Sequence, residues 1–192
     1  SGWLGTRAPL TAELVDPTLA DGDGRMLLEG LFPTGAPGEQ FEFGRSDTRF
    51  SSAAQKILKA AMCAPSAMDK RPWEFVVVKD KAQLQKLGER LPYSRVANGA
   101  QLAIVVCGSL DNGLPGRGKE YWIHDCSAAS MNILLAAHGL GLGAVWTGVF
   151  PGEERIAAVR EILAIPDGYA PLNVIPIGYP AEDPAVKDKW NP

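Results

Sequence analysis

The chain is poor in the residues that build most nucleophilic and metal-dependent sites. It has two histidines, His124 and His138, and three cysteines among its 192 residues. Cys63, Cys107 and Cys126 are widely spaced within apolar stretches, a pattern that favours reduced core thiols over disulfides or a zinc site. Since so few histidines give little support to Ser-His-Asp or Cys-His chemistry, we expect no protein nucleophile and no metal site.

The sequence also lacks a strong excess of charge and any long apolar run. Its 19 basic and 22 acidic residues leave a net charge of -3, and no basic cluster is longer than "KDKW" near the end. The electrostatic footprint of a nucleic-acid-binding protein is therefore missing. No run approaches the ~20 apolar residues of a membrane helix, and the start of the chain does not show the order of a signal peptide. We expect no nucleic-acid partner, no membrane segment and a cytoplasmic location.

What the sequence does contain is an alternation of strand-like and helix-like segments after an irregular start. Scattered Gly and Pro predict an irregular arm over residues 1–50, with one or two helical turns, and a single domain over residues 51–192. From Ser52 apolar residues recur with helical spacing until Pro65. Further helices are predicted at 81–90, about 119–138 and 153–163, and buried strands at "EFVVVKD", "LAIVVCGS", "GAVWTGV" and "NVIPIGY". This order indicates an α/β or α+β sandwich.

The glycine-rich stretch "AAHGLGLGAVWTG", residues 136–148, resembles a dinucleotide-binding loop in its glycine spacing. Such a loop runs from a strand into a helix N-terminus, whose N–H groups meet the pyrophosphate. Here the helix comes first, so the loop meets helix C-terminal carbonyls that repel phosphate. We therefore predict structural glycines, with Gly139 as the left-handed residue that closes the helix, and Gly141 and Gly143 easing the turn into the strand.

The helix before these glycines, "CSAASMNILLAAH", is apolar or small at nearly every position. That composition predicts a helix buried all round. In a domain of this size, such a helix indicates a second subunit covering one face, although the central helix of a monomer would show the same pattern.

Three ordered segments resemble the FMN-dependent nitroreductase family. "APSAMDKRPWEFVVV" is similar to the family's "APSAxNxQPWxFVVV", and "MNILLAAHGLGLGAVWTG" to "NxLLAAHxLGLGAVWxG". "EERIAAVREILAIPDGYAPLNVIPIGYPAEDP" is similar to "ExRVxAVRELLGIPxGYxPLxxIPIGYPAExP", and the resemblance covers roughly residues 53 to 190, about 70% of the chain. It implies an α+β sandwich with a mostly antiparallel central sheet flanked by helices, forming a homodimer with an FMN in each of two interface clefts.

The resemblance also implies a reaction. NADH or NADPH reduces the flavin, which then reduces a nitroaromatic, a quinone or a similar small aromatic acceptor in a ping-pong cycle. A flavin that accepts hydride at N5 gathers negative charge at N1 and O2, so hydrogen-bond donors there favour the reduced state. The cofactor carries the difficult chemistry, which agrees with the absence of a nucleophile constellation.

Residue by residue, the resemblance predicts where the flavin is held. Three segments match the family's pattern: one reaching the flavin from the neighbouring subunit, one along the isoalloxazine ring whose backbone N–H faces N5, and C-terminal basic residues near the phosphate. These are, in turn, Pro65, Ser66 and Ala67; Trp146, Thr147 and Gly148; and Lys187 and Lys189. Tyr121, Trp122 and His124 are candidates for the substrate pocket.

The chain departs from the family's pattern at two places. The family's Arg-Arg-Ser-x-Arg run, which grips the FMN phosphate and ribityl oxygens, is reduced here to Arg45, Ser46 and Arg49. Asp69 and Arg71 stand where the family more often has Asn and Gln; a carboxylate cannot donate as Asn does, but Arg71 could neutralise it. These departures leave open a degenerate dimer that binds flavin or another planar ligand without turnover. A flavin-dependent dehalogenase or flavin-fragmenting enzyme is open on the same fold.

Overall fold

The apolar strands pair into one antiparallel sheet in the computed structural model of the chain. The structure describes residues 12–15, 48–181 and 189, with the backbone alone for 12–15 and 48–51. The strands are β1 (Ala12–Val15), β2 (Trp73–Val78), β3 (Leu102–Ser109), β4 (Gly143–Ala144), β5 (Thr147–Gly148) and β6 (Tyr169–Gly178). Their spatial order is β1-β2-β3-β6-β4, with β5 also pairing with β6, and every described pairing is antiparallel.

Within the described residues, four α-helices cover the two faces of this sheet. They are α1 (Thr48–Met62), α2 (Lys81–Arg90), α3 (Tyr121–Gly139) and α4 (Glu153–Leu163). The central strand β3 shows why both faces need cover, since all eight of its residues are buried. Its even-numbered apolar residues pack with α1 and α3, and its odd-numbered ones with α2 and α4. The predicted α+β sandwich is therefore confirmed, and a strand apolar throughout was the signal for it.

Two of the helices begin and end where the sequence predicts. The spacing of apolar residues places α2 at 81–90 and α4 at 153–163, as observed. Asp80 explains the sharp start of α2, because its side chain accepts a hydrogen bond from Gln83 N at 2.9 Å. In the part of the chain that the structure describes, no helix is both long and apolar enough to cross a bilayer.

The N-terminal region contains a strand that was not predicted. Ala12–Val15 pairs antiparallel with β2, from Ala12 opposite Val78 to Val15 opposite Phe75. Four residues are too few to show a period, so only the pairing with a long buried strand defines β1. Helix α1 begins at Thr48, slightly earlier than its apolar periodicity predicts. The apolar stretch "MLLEGLF" at residues 26–32, within the arm for which one or two helical turns are predicted, lies outside the described residues.

Gly141, rather than Gly139, is the left-handed residue after the long helix. Helix α3 continues through Gly139, Leu140 caps it, and Gly141 has a φ of 73°. Leu142 N donates to Ala137 O at 2.9 Å and Gly141 N donates to His138 O at 2.9 Å, the bond pattern of a Schellman motif. The prediction of a glycine-terminated helix is correct in kind, but Gly139 is the wrong glycine, because the helix runs two residues further.

The predicted strand "GAVWTGV" is split in two by a proline on its neighbour. Gly143 pairs with Gly178 and Thr147 pairs with Val174, so β4 and β5 keep one register along β6. Ile177 O accepts from Gln101 N on the β3 side, and the alternation of an antiparallel strand therefore turns Pro176 toward β4 and β5. Since proline has no N–H to donate, the ladder breaks there.

Candidate functional site

The first turns of α3 connect the segments that the sequence places near a ligand. Asp125, which is 6% exposed, accepts a hydrogen bond from Ala67 N at 2.9 Å. One turn earlier, the ring of Trp122 packs edge-on against that of Phe150, with centroids 5.1 Å apart. Phe150 follows Gly148 by two residues. The loop after α1 and the segment around β5 are thus both fastened to the same end of one helix.

The loop between α1 and β2, Pro65–Arg71, has an unusual backbone. Met68, Asp69 and Arg71 have φ values of 54°, 52° and 48°, in the left-handed region. Each non-glycine residue in this region costs on the order of 1–2 kcal/mol. Side chains oppose this cost: Ser66 Oγ accepts from Arg71 N at 2.9 Å, and Asp125 holds Ala67. Strain of this kind, held by the surrounding structure, is typical of ligand-binding loops.

Asp69 and Arg71 form a two-bond ion pair within this loop. Arg71 Nε lies 2.7 Å from Asp69 Oδ1, and Arg71 Nη2 lies 2.8 Å from Asp69 Oδ2. The hydrogen bonds from Arg71 lower the pKa of the Asp69 carboxyl, so it is anionic at neutral pH. The guanidinium neutralises that charge locally. A carboxylate that faced a reduced, anionic flavin would repel it, and the pairing with Arg71 reduces that repulsion.

Replacing Asp69 by Asn tests how much this pair holds the loop. Asparagine accepts the left-handed backbone readily, and exposed ion pairs stabilise little, so we expect the melting temperature at pH 7 to fall by at most about 2 °C. A carboxyl with a lowered folded-state pKa adds stability above its unfolded pKa, and that contribution is lost as pH falls through the folded value. The difference from the unsubstituted protein should therefore begin to shrink below about pH 4, near the unfolded pKa, and disappear only below the lowered folded-state pKa. Melting curves at pH 7 and at a series of pH values below 4 check this, and a difference that grows as the pH falls would contradict it.

The segment Val145–Gly148 forms the open edge of the sheet beside β6. Trp146 is 37% exposed, whereas Thr147 is 4% exposed. Val149 N donates to Leu172 O at 3.0 Å, and Thr147 pairs with Val174, so residues 147 and 149 both face β6. The alternation of the strand then directs the N–H of Gly148 away from β6, toward the edge. The resemblance implies that one backbone N–H of the segment 146–148 faces a flavin N5, and the N–H of Gly148 is a donor that points outward.

The face of the sheet at Gly148 has room for a ligand. Among the described residues, a Cβ atom built on Gly148 would meet no atom within 4 Å. The residue opposite it, Asn173, is fully buried, and its Nδ2 donates to Ser130 Oγ at 2.8 Å, whereas its Oδ1 has no hydrogen-bond partner. Buried polar atoms are nearly always paired, so the unpaired Asn173 Oδ1 on the strand opposite Gly148 is unusual. A flat group with polar edges, such as a flavin, fits these residues.

The remaining predicted site residues are placed as follows. The ring of Tyr121 lies 5.7 Å from that of His124, and both residues are exposed. Trp122 is buried in the core against Phe150, so its ring is not open to a substrate in the single chain. Lys189 is exposed. Arg45, Ser46 and Lys187 lie outside the described residues, as does the side chain of Arg49.

Three polar residues beside the site were not predicted: Asp125, Ser94 and Asn173. Asp125 is a carboxylate within a helix of small and apolar residues, and Asn173 is a lone amide within the apolar "YAPLNVIPIG". An isolated polar residue in a buried segment is the signal that could have marked both. Ser94 lies in a loop and its side chain donates to Thr147 Oγ1 at 2.9 Å. No local pattern marks a contact between residues so far apart in sequence.

The cysteines do not add a nucleophile to this site. Cys107 and Cys126 are buried, and Cys63 is half-buried; all three are free. Burial raises the pKa of Cys107 to about 12 and that of Cys126 well above its ordinary value. Both thiols therefore stay protonated at neutral pH. The described His, Cys, Asp and Glu residues also form no cluster that could hold a metal ion.

The chain is similar to proteins of one family. A family model described as the nitroreductase family matches residues 52–92 and 89–179. A protein of Methanothermobacter thermautotrophicus, provisionally named NADH dehydrogenase/NAD(P)H nitroreductase, is 52% identical over 139 residues, which are 71% of this chain and 70% of that protein.

Solved structures show the same relationship. A Parabacteroides distasonis protein with the same provisional name has a TM-score of 0.70 and 40% identity, covering 86% of this chain and 94% of its own. An FMN-dependent nitroreductase of Clostridium difficile has a TM-score of 0.67 and 30% identity, covering 84% of this chain and 92% of its own.

Proposed function

This chain belongs to the nitroreductase family, and we propose that it is an FMN-dependent oxidoreductase that uses NADH or NADPH to reduce a nitroaromatic, a quinone or a similar planar acceptor. The observation that carries this proposal is the edge at Gly148. There a backbone N–H faces away from β6, a Cβ built on Gly148 would meet no described atom within 4 Å, and the strand partner Asn173 has an unpaired Oδ1. The similarity to a protein named FMN-dependent nitroreductase supports the choice of FMN.

Two segments of the chain would hold the flavin. The Gly148 N–H would donate to the ring edge, and the exposed Trp146 would pack near it. The Ser66 oxygen accepts from Arg71 N, and no described residue accepts its hydroxyl proton, which would therefore be available to a ligand. The chemistry that FMN supplies when bound is the exchange of a hydride, received from NADH or NADPH and passed to the acceptor in a ping-pong cycle.

The residues of the chain then orient the flavin and shield it from water, and they do not react themselves. The Asp125 carboxylate fixes the position of Ala67, and Arg71 neutralises the charge of the Asp69 carboxylate within the loop. The described part of the site contains no thiolate at neutral pH, because burial keeps Cys107 and Cys126 protonated. Positioning, exclusion of water and a fixed dipole at Gly148 are the contributions that this arrangement makes.

We propose that the active form is a homodimer whose interface includes α3. Six mostly exposed residues follow a repeat of seven along this helix: Tyr121, His124, Ala128, Met131, Leu135 and His138. We name this set the α3 stripe. Met131 and Leu135 are each 49% exposed in the single chain. The middle of the stripe, Ala128, Met131 and Leu135, is apolar with spacings of three and four residues, which is the pattern of a helix seam that packs against another helix. A second copy would complete the burial that the composition of α3 predicts.

The absorption spectrum of the purified protein tests the enzymatic proposal. A flavin protein is yellow, and we expect its visible bands to bleach on addition of NADH or NADPH and to return when a nitroaromatic or quinone is added. A protein that remains colourless after incubation with FMN would contradict the proposal. Bands that appear but do not bleach with either nucleotide would instead show a flavin-binding protein without turnover.

Replacing Gly148 by Ala tests the position of the flavin. The new methyl group meets no protein atom within 4 Å, so we expect the flavin-free melting temperature to change by less than about 2 °C. If the flavin lies against Gly148, its dissociation constant should rise by about tenfold or more, as measured by fluorescence titration. Gly99→Ala is the matched control, because a Cβ there also meets nothing within 4 Å. Equal FMN affinity in both variants would contradict the placement.

A further inference from the structure

Two buried hydroxyl groups link a loop outside the site to the strand that carries it. Ser94 is 1% exposed and precedes the short 3-10 helix Arg95–Gly99. Its Oγ donates to Thr147 Oγ1 at 2.9 Å, and Thr147 Oγ1 donates to Val174 O at 2.5 Å. These two hydrogen bonds, which we call the relay, therefore connect the loop to β5 and β5 to β6. The single proton of the Thr147 hydroxyl is used within it, so this side chain has none to donate to a ligand.

The relay lies where the edge segment has few backbone hydrogen bonds to β6. The ladder between β4 and β6 breaks opposite Pro176, and β5 resumes for only two residues, Thr147–Gly148. The hydroxyl of Thr147 adds a side-chain bond to Val174 O at the first residue after the break. A buried Ser94 behind it prevents Thr147 from rotating away, since Ser94 Oγ would then lose its acceptor.

We propose that Ser94 and Thr147 form a positioning clamp, which fixes the edge segment Val145–Gly148 so that the outward N–H of Gly148 meets the flavin. Neither hydroxyl touches the ligand; each acts through the backbone of β5. The part of this inference that concerns the flavin rests on the proposed function. The part that concerns the rigidity of the edge does not.

The burial pattern of the 91–100 loop explains how Ser94 reaches the strand. Leu91, Ser94, Ala97 and Ala100 are buried while the residues between them are exposed. A repeat of three matches the three residues per turn of a 3-10 helix. Three of these inward positions are apolar, and the serine is the one that faces Thr147. A purely structural contact could have been made by an apolar side chain here, as at the other three positions.

The test compares variants that differ by one hydroxyl or one methyl group. Thr147→Val removes the hydroxyl at nearly constant shape, Thr147→Ser keeps it, and Ser94→Ala removes the other member. Ile104→Val is the control, because it removes one buried methyl group from the opposite face of the sheet. The readouts are amide hydrogen exchange of the segment 145–150 in the flavin-free protein, the FMN dissociation constant and the midpoint potential of bound FMN.

We expect Thr147→Val to accelerate exchange in segment 145–150 by about tenfold or more and to weaken FMN binding by a similar factor, with a shifted potential. Ser94→Ala should change all three in the same direction, whereas Thr147→Ser should restore them to within about threefold. Ile104→Val should leave all three readouts at their original values, even where it lowers the melting temperature.

Two results would overturn the clamp. One is unchanged exchange at 145–150 in Thr147→Val. The other is faster exchange with unchanged FMN affinity and potential, which would leave the hydroxyls a structural role only. If the unsubstituted protein binds no flavin, the proposed function fails, and the positioning of flavin fails with it. Exchange in the flavin-free variants still decides whether the relay fixes the edge.

Discussion

Replacing Gly108 by Ala is expected to destabilise the domain by about 1–3 kcal/mol and to lower its melting temperature by roughly 3–10 °C. Gly108 lies in the central strand β3, and the Trp122 ring packs directly on its Cα. A Cβ there would overlap ring carbons Cδ2, Cε3 and Cζ3 of Trp122. Because Trp122 is also packed edge-on against Phe150, the ring has no free direction in which to move.

This prediction extends from stability to the site. Displacing Trp122 disturbs Phe150, which follows Gly148, and the turn of α3 that carries Asp125. We therefore expect FMN affinity to fall along with stability. Thermal melts and flavin titrations measure the two effects, and Gly99→Ala serves as a glycine control with open space around it.

A double variant separates steric overlap from a general effect of alanine in a strand. Trp122→Leu alone should lower the free energy of unfolding by up to about 5 kcal/mol, because it leaves a cavity. Combined with Gly108→Ala, the new methyl group enters that cavity, so the double variant should lose less stability than the sum of the single ones. Strict additivity would show that the ring is not what Gly108 accommodates.

Local patterns predicted most of the fold because its elements are long or strongly periodic. β3 is apolar throughout and buried throughout, and α4 spans the residues that its apolar spacing predicts. The errors fall where a distant residue decides the structure. The four-residue β1 depends on pairing with β2, and the break between β4 and β5 depends on Pro176 of another strand.

In the candidate site, too, local motifs could be predicted from the sequence and long-range contacts could not. Its segments carry contiguous motifs, so the resemblance indicated Pro65–Arg71 and Trp146–Gly148 from sequence alone. The residues that fasten these segments are scattered: Asp125 reaches Ala67 across 58 positions, and Ser94 reaches Thr147 across 53. Such contacts exist only once the chain is folded, so no local pattern could have assigned them.

Replacing Leu135 by Glu is the second large effect that we expect, and it concerns assembly. Leu135 lies in the α3 stripe and is 49% exposed in the single chain. In a symmetric dimer through this stripe, each copy would bring one buried carboxylate into an apolar contact. Losing a central apolar anchor and burying a charge should raise the dimer dissociation constant by about 100-fold or more, which is roughly 3 kcal/mol.

Light scattering and sedimentation over a range of protein concentrations measure this change, and flavin titration follows its consequence. Val96→Glu is the matched control, since Val96 is 60% exposed but lies in the 3-10 helix Arg95–Gly99, off the α3 stripe. If the flavin cleft lies between two copies, Leu135→Glu should lose FMN at concentrations where the protein is monomeric and regain it at concentrations where it dimerises. Val96→Glu should keep both properties. A monomeric Leu135→Glu variant that binds FMN as tightly as the unsubstituted protein would place the cleft within one chain. It would contradict the proposal that a second copy completes the site.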